Sequence, residues 1–322
     1  MVYFRFPFTS QIVTTDKKVD KKTVRFVSFD KTENIDFLGS ITAINTDEFL
    51  KSPIFSTDLS SQLLNFKEDY QNEYVQKLTQ VISFIKKHSL PKLVISRRKL
   101  IDLESSAINL SQTFLNLCDS YPNAFVYFLI EEGKCWLGAF SELLGRFDKS
   151  TSQFETMSLA GTISVNENWT HKEIDEQQPV TDFISSVLKI YSEHVEKSDT
   201  CDHISGNIKH LRNDFQAKIK VQDLEKVIAE LHPTPAVCGI PKEQCAQAIE
   251  RFEDHPRSFY AGYIKVETEE TIQYFVNLRC AQFFNNAALV YVGGGITADS
   301  NPDKEWQETE MKAEAILNNL SY

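Results

Sequence analysis

Ala124-Phe-Val-Tyr-Phe-Leu-Ile130 and Cys135-Trp-Leu-Gly-Ala-Phe140 are two apolar runs joined by the polar segment Glu131-Glu-Gly-Lys134. Runs of this length and composition, separated by a short segment that contains glycine, are typical of a β-hairpin. Helical spacing of apolar residues precedes the hairpin over 66–88 and follows it over 180–191. Helices interleaved with antiparallel hairpins predict an α+β fold and argue against a doubly wound parallel sheet.

Further elements are predicted on the C-terminal side of the hairpin. Thr170 and Glu173 form a capping-box pattern at a helix start, and Pro179 is expected to kink that helix. The polar stretch 193–206 is predicted to be a loop, and strands are predicted over 271–281 and 287–292. The last helix is expected to begin near Pro302 and to end near residue 320.

Composition limits the function classes. The chain has 322 residues and a net charge of −11, which disfavours binding to nucleic acid and to acidic membranes. Six cysteines without a C-x-x-C pattern predict reduced thiols and no zinc site. Neither a signal peptide nor an apolar stretch long enough to span a membrane is visible, so a soluble, cytoplasmic protein is expected.

Two Glu-x-x-Glu pairs, Glu173/Glu176 and Glu305/Glu308, are the most informative pattern. Positions three apart share a helix face, so each pair presents two carboxylates side by side. An isolated pair is usually solvated helix surface, and Glu173 is also explained as a cap. If the two pairs face each other, a hard cation must lie between them, and oxygen-only ligands favour Mg²⁺ or Mn²⁺. Lys312, on the face of Glu305 and Glu308, is either their ion-pair partner or a cation for a ligand.

Other candidate residues have two interpretations each. Lys92, which begins an apolar strand, is either a buried base or an exposed strand-edge lysine. Glu142 is either a general acid or a surface carboxylate, and His232, beside prolines, is either structural or part of a site. The run Gly293–Gly295 is either a tight turn or a set of backbone amides that can cradle a carboxylate.

These features occur together, in one order, in a family that the chain resembles: the chorismate-binding enzymes. This family includes isochorismate synthase, salicylate synthase and the component I subunits of anthranilate and aminodeoxychorismate synthase. The matching strings include Pro91-Lys-Leu-Val-Ile-Ser-Arg97 and Leu231-His-Pro-Thr-Pro-Ala-Val-Cys-Gly239. The others lie at 137–144, 158–162, 172–176, 257–262, 278–281, 292–296 and 305–309.

The resemblance implies a fold and a domain organisation. A single chorismate-binding domain is expected over residues 1–322, in which the N-terminal segment 1–90 is divergent and the catalytic segment 91–322 bears the motifs. The implied fold has two intertwined halves with a β-sandwich core and helices on the outside.

The resemblance also implies roles for individual residues. Lys92 is the expected general base that activates water, and Glu142 the general acid that protonates the departing 4-hydroxyl. Glu173, Glu176, Glu305 and Glu308 are the expected carboxylates around Mg²⁺. Because Glu173 is also explained as a helix cap, Glu176 and Glu308 are expected to be the direct ligands, with Glu173 and Glu305 behind them. The expected substrate contacts of chorismate are Gly161, Thr162, His232, Tyr260, Arg279, Gly293, Gly295 and Lys312.

The identity of residue 92 also separates the reactions of the family by their nucleophile. Amine-transferring relatives carry glutamine at its position, and the aminodeoxychorismate type has lysine where this chain has Ala160. Lys92 with Ala160 therefore implies water as the nucleophile, so no glutamine amidotransferase subunit is expected, and a monomer is predicted. Isochorismate synthase is favoured, in menaquinone or siderophore biosynthesis, with salicylate synthase as the alternative. Gln177, where the family usually has histidine, and Pro179 depart from the family pattern and leave a third hypothesis open, a catalytically silent chorismate-binding protein.

Overall fold

The computed structural model describes residues 1–16, 18, 20–66, 68–103 and 106–322. Its helices are α1 (Thr46–Leu50), α2 (Gln71–His88), α3 (Leu110–Ser120), α4 (His171–Tyr191), α5 (Leu224–Leu231), α6 (Lys242–Phe252) and α7 (Pro302–Leu317). Its strands are β1 (Val2–Arg5), β2 (Ile12–Thr15), β3 (Lys22–Val27), β4 (Asn34–Leu38), β5 (Ile41–Ile44), β6 (Lys92–Asp102), β7 (Phe125–Glu131), β8 (Lys134–Phe140), β9 (Leu143–Asp148), β10 (Gln153–Ser164), β11 (Val195–Lys197), β12 (Cys201–Ser205), β13 (Ile208–Lys218), β14 (Gly239–Ile240), β15 (Tyr263–Glu267), β16 (Thr271–Val276), β17 (Cys280–Phe283) and β18 (Ala287–Ile296).

The strands form two antiparallel sheets. The first has the order β14-β6-β18-β17-β8-β7-β1-β2-β5, and the second β11-β13-β10-β9-β16-β15-β3-β4, with β12 beside β13. Early strands pair with late ones: β1 lies beside β7, β3 beside β15, and β6 beside β18. The chain therefore passes repeatedly between the sheets, and the predicted α+β fold with intertwined halves is confirmed.

Strand β7 shows how the layers are built. Phe125, Tyr127 and Leu129 face the core between the sheets, whereas Val126 and Phe128 pack with residues of α3 and α7 on the outer face. This alternation follows from the period of two in a strand, and both faces are apolar because both are covered. The ring of Tyr127 lies 5.0 Å from that of Phe26, which comes from the opposite sheet. Such contacts make the space between the sheets a continuous apolar core.

The predicted hairpin of β7 and β8 is confirmed. Its strands pair from Phe125 with Phe140 to Glu131 with Lys134. The turn residues Glu132 and Gly133 have φ of 51° and 75°. Positive φ at both central positions suits the right-handed twist of the strands, and glycine adopts it at little cost.

Helix α4 begins as predicted, because Thr170 and Glu173 form the reciprocal capping box. It continues through Pro179 to Tyr191 as one helical element. On its buried face, Gln177 donates to Asn213 at 2.6 Å and to Thr181 at 2.7 Å. Gln177 is thus part of a buried polar network that joins α4 to β13. Within the described ranges, no helix has the length and apolarity needed to cross a membrane.

Candidate active site

A cavity opens between the glycine-rich end of β18, the start of β6, the β8–β9 junction and β10. It holds about 790 Å³ of space that protein atoms do not fill, including open solvent at its mouth. Most of the residues singled out from the sequence line it: Lys92, Glu142, Gly161, Thr162, Glu176, Tyr260, Arg279, Gly293, Gly295 and Lys312. Residues that are far apart in the chain therefore meet at one place.

The glycine run lies in a strand and forms neither a turn nor an isolated amide cradle. β18 continues to Ile296, and Gly293, Gly294 and Gly295 pair with Ser96, Ile95 and Val94 of β6. The predicted end of this strand at residue 292 was wrong. A Cβ atom on Gly295 would meet the Lys92 side chain, 2.9 Å from its Nζ, and would overlap the Glu176 carboxylate. Glycine suits the strand here because polar side chains approach its backbone closely.

The two glutamate pairs lie on α4 and α7, as predicted, and all four side chains are buried. Each carboxylate except that of Glu173 is paired with a lysine. Glu176 Oε1 lies 2.8 Å from Lys92 Nζ, and Glu308 Oε1 lies 2.7 Å from Lys312 Nζ. Glu305 Oε1 lies 2.8 Å from Lys172 Nζ, a partner that sequence reasoning missed although it adjoins Glu173. Lysines therefore balance the carboxylate charge in this structure.

Glu173 differs from the other three glutamates. Its Oε2 accepts hydrogen bonds from the Thr170 backbone amide at 3.0 Å and from the Thr170 hydroxyl. The cap stabilises the first turn of α4, typically by about 1 kcal/mol. One carboxylate oxygen of Glu173 is thus used by the helix itself.

The oxygens of α7 and α4 approach neighbouring residues of the glycine run. A Cβ on Gly294 would lie 3.4 Å from Glu305 Oε2 and 3.7 Å from Glu308 Oε1, and the Glu176 carboxylate reaches Gly295. Glu305 Oε2 is buried and has no hydrogen bond within 3.5 Å among the described residues, although the Ser300 hydroxyl lies near this carboxylate. Burial, together with the charge of Glu308, raises the pKa of Glu305 to about 7. In the described ranges, however, no three acidic, histidine or cysteine side chains are close enough to form a metal-binding group.

An unpartnered buried carboxylate oxygen is costly, and a hard cation is one way to satisfy it. The side-chain atoms that approach Gly294 and Gly295 as possible metal ligands are carboxylate oxygens, the ligands that Mg²⁺ prefers. The chemistry of these residues thus suits a hard cation such as Mg²⁺. In this structure, lysines contact the same carboxylates.

Lys92 and Glu142 both reach the cavity from strand ends. Lys92 begins β6 and is only 1% exposed, so the strand-edge interpretation does not apply. Glu142 lies between β8 and β9 and is 5% exposed. Burial raises the pKa of Glu142 to about 7, although Lys92 and Lys312 act in the opposite direction. A buried amine and a carboxyl that holds its proton near neutral pH therefore face the same space.

Arg279 lies where the chain changes sheets. The predicted strand 271–281 is in fact two strands, β16 in the second sheet and β17 in the first. Arg279, between them, has φ of 44°, a rare conformation for a residue with a side chain. Its guanidinium donates to Ser205 Oγ and, over 2.9 Å, to His210 Nε2. This arrangement holds a cation in the cavity wall, which Tyr260 also lines.

The hairpin formed by β12 and β13 supplies residues that sequence reasoning missed. The stretch 193–206 was predicted to be a loop, but it contains β11 and β12. His210 of β13 lines the cavity, and its Nδ1 lies 2.9 Å from the Gly161 carbonyl oxygen. His203 of β12 contacts Ser141, another residue of the cavity wall.

His232, predicted to contact the substrate, is not among the residues that line the cavity, whereas its neighbours Ala236 and Val237 are. Its Nε2 lies 3.0 Å from the Ala261 carbonyl oxygen, and its ring packs edge-on against Phe29 and Tyr263. Burial lowers the pKa of His232 to about 3, which keeps the ring neutral. His232 is a buried structural residue.

Known proteins resemble this chain over most of its length. The family described as "Chorismate binding enzyme" matches residues 11–321. The isochorismate synthase MenF of Bacillus subtilis (strain 168) is 25% identical over 283 residues, which are 83% of this chain and 59% of that protein. The isochorismate synthase EntC of Escherichia coli (strain K12) is 28% identical over 279 residues, 80% of this chain and 70% of that protein.

Among solved structures, MenF, the menaquinone-specific isochorismate synthase from Escherichia coli, superposes with a TM-score of 0.78 at 19% identity. The match covers 99% of this chain and 88% of that one, and it shows a common fold. The chain spans about three-fifths of the length of the Bacillus relative. Since the family match extends over nearly the whole sequence, the chain belongs to the chorismate binding enzyme family.

Proposed function

We propose that this protein is an isochorismate synthase, which isomerises chorismate by adding water at ring carbon 2 and releasing the hydroxyl of carbon 4. The observation that carries the proposal is the pair Lys92 and Glu142, both buried and both in the wall of one cavity. The similarity to relatives named isochorismate synthase supports it.

The proposed reaction needs one base and one acid. Lys92 takes a proton from water while the water oxygen bonds to carbon 2. The two ring double bonds shift, from C1=C2 to C1=C6 and from C5=C6 to C4=C5, the bond from carbon 4 to oxygen breaks, and Glu142 gives its proton to the departing hydroxyl. One water enters and one leaves, so the overall change is an isomerisation. Glu142 suits the acid role, because its raised pKa keeps much of it protonated at neutral pH.

Chorismate carries two carboxylates, and an acidic protein must provide local cations for both. We assign the enolpyruvyl carboxylate to Arg279, the Tyr260 hydroxyl and the backbone at Gly293 and Gly295. Gly161 and Thr162 are assigned to contacts near the ring carboxylate. Charge-assisted hydrogen bonds from a guanidinium suit such a group. Lys312 lies beside the carboxylates of α7, 2.7 Å from Glu308, and is assigned to the ring carboxylate.

We propose that Mg²⁺ is required and is held by Glu176, Glu305 and Glu308, with Glu173 behind them. The unpartnered Oε2 of Glu305 supports including this residue, and the cap supports the outer place of Glu173. When bound, Mg²⁺ would supply positive charge for the ring carboxylate of chorismate.

Product analysis tests this function. Purified protein is incubated with chorismate, with and without Mg²⁺, and the products are separated by chromatography. Isochorismate formed only with Mg²⁺ is the expected result. Salicylate with pyruvate would instead identify a salicylate synthase, and binding without turnover across pH 6–9 would identify a silent binding protein.

A further inference from the structure

Ser141 precedes Glu142 in the cavity wall and has no role in the reaction described so far. It is joined to the hairpin of β12 and β13 through His203, whose Nε2 lies 2.7 Å from Ser141 Oγ. Serine beside histidine is the arrangement of many nucleophilic enzymes, in which the histidine accepts the hydroxyl proton. Which nitrogen of His203 carries the proton therefore decides what Ser141 can do.

Arg212 determines which nitrogen of His203 carries the proton. Its Nη1 lies 3.3 Å from His203 Nδ1, and its Nε and Nη2 bind Asp214 at 2.9 and 2.6 Å. A guanidinium stays protonated and can only donate, so His203 Nδ1 must accept. Burial and the charge of Arg212 lower the pKa of His203 to about 4, and the ring is thus neutral at neutral pH. The proton of the neutral ring is then on Nε2.

Since Nε2–H donates to Ser141 Oγ, the serine oxygen is an acceptor in this contact and keeps its own proton. Within the described residues, His203 is the one hydrogen-bond partner of the Ser141 hydroxyl. The geometry is thus the reverse of that in a nucleophilic serine. Ser141 remains a donor with its proton available to the cavity.

The same hairpin also holds the Arg279 guanidinium, one of the cations that line the cavity. Ser205, two residues after His203, accepts a hydrogen bond from Arg279, and His210 accepts a second one. Ser141 and Arg279 are therefore positioned by neighbouring residues of one element. The charge of Arg279 also acts on the His203 ring, so both donors of the cavity wall lie near this hairpin.

We propose that Ser141 binds the substrate directly by donating its hydroxyl proton to an oxygen of the enolpyruvyl side chain, and that His203 is its positioning residue. The proposal rests on chorismate being the substrate. It gives the enolpyruvyl group a neutral donor in addition to Arg279, and it assigns a function to the hairpin of β12 and β13.

Imidazole ¹⁵N NMR on the full chain tests the arrangement without any substrate. His203 should show a pyridine-like Nδ1 and a protonated Nε2, and this pattern should be lost in Arg212→Leu. His194 is the matched control, because it is exposed and its ring contacts Glu196. A proton on Nδ1 of His203 would overturn the proposal whatever the protein acts on.

Steady-state kinetics with chorismate test the binding role. Ser141→Ala should raise KM about three- to tenfold, the value of one neutral hydrogen bond, and change kcat less. His203→Leu should have the same effect, whereas His203→Gln, which keeps an N–H donor, should stay within about twofold of wild type. The double variant should be no worse than Ser141→Ala alone, since both changes remove one contact.

An unchanged KM in Ser141→Ala, or additive effects in the double variant, would contradict the proposal. His194→Leu should behave as wild type, and thermal unfolding of each variant separates loss of binding from loss of fold. Absence of turnover in the wild type would count against the proposed function, and the NMR result would still decide the hydrogen-bond arrangement.

Discussion

Lys92 Nζ lies 2.8 Å from Glu176 Oε1, and the two side chains are 2% and 9% exposed. The proposed base thus contacts a proposed metal ligand directly. Breaking a buried ion pair by removing one partner leaves an uncompensated charge, which costs more than the pair itself contributes. Changes at either residue should therefore affect both chemistry and stability, and experiments must separate the two.

Lys92→Gln should lower kcat by about 10²- to 10⁴-fold, the usual contribution of a general base. Glutamine can still donate a hydrogen bond to Glu176, so the fold should survive. Turnover of chorismate and near-UV circular dichroism are the measurements. Lys189→Gln, at an exposed position of α4, is the matched control. Normal turnover in a folded Lys92→Gln protein would rule out Lys92 as the base.

The raised pKa of Glu142 predicts that kcat depends on pH. A general acid must be protonated, so kcat should fall about tenfold per pH unit as the pH rises above a pKa of about 7. The measurement is kcat with saturating chorismate from pH 5.5 to 9. Glu142→Gln should lower kcat by about 10²- to 10⁴-fold. A flat profile up to pH 9 would show that another group protonates the departing hydroxyl.

Lys172 should compete with Mg²⁺ for Glu305. Lys172→Met leaves Glu305 and Glu308 without this cation, which should destabilise the metal-free protein by about 1–3 kcal/mol. Added Mg²⁺ should then raise the melting temperature more in the variant than in wild type. Differential scanning calorimetry with EDTA and with Mg²⁺ makes the comparison. Lys304→Met, exposed on α7, is the control, and equal Mg²⁺ responses in all three proteins would contradict the assignment.

Gly295→Ala should disrupt the site while leaving β18 intact. Its Cβ would overlap the Lys92 and Glu176 side chains, whereas a Cβ on Gly294 meets carboxylate oxygens at 3.4 and 3.7 Å, close to ordinary contact. Gly295→Ala should therefore lower kcat/KM by about 10²-fold or more, because a displacement of catalytic groups by about 1 Å can cost this much. Gly294→Ala should lower kcat/KM much less. Chorismate kinetics on both variants, with circular dichroism, test this. Equal activities would mean that the close approach at Gly295 has no functional role.

Local sequence signals predicted much of the fold. The hairpin of β7 and β8 and the start of α4 depend on turn and capping chemistry within a few residues, and both are as predicted. The glutamate pairs were found by their spacing alone. Their meeting at Gly294 and Gly295 depends on the packing of α4 and α7 against β18, which spacing does not report.

The errors also have physical causes. β12 was predicted to be a loop because its buried residues, His203 and Ser205, are polar. They are polar because they face Ser141 and Arg279, so a pattern that expects apolar residues inside misses the strand. The stretch 271–281 looks like one strand, and only the sheets to which its two pieces belong reveal the break at Arg279.

The pairing of β6 with β18 sets Val94 opposite Gly295, although the two residues come from distant regions of the chain. Contacts between such distant residues carry a high entropic cost of loop closure and form late in folding. A chain that is still emerging, or one whose C-terminal strands have detached, would hold Lys92 without the wall that surrounds it. Ligand affinity should therefore report complete folding, and a bound substrate should protect the ends of both strands from hydrogen exchange together.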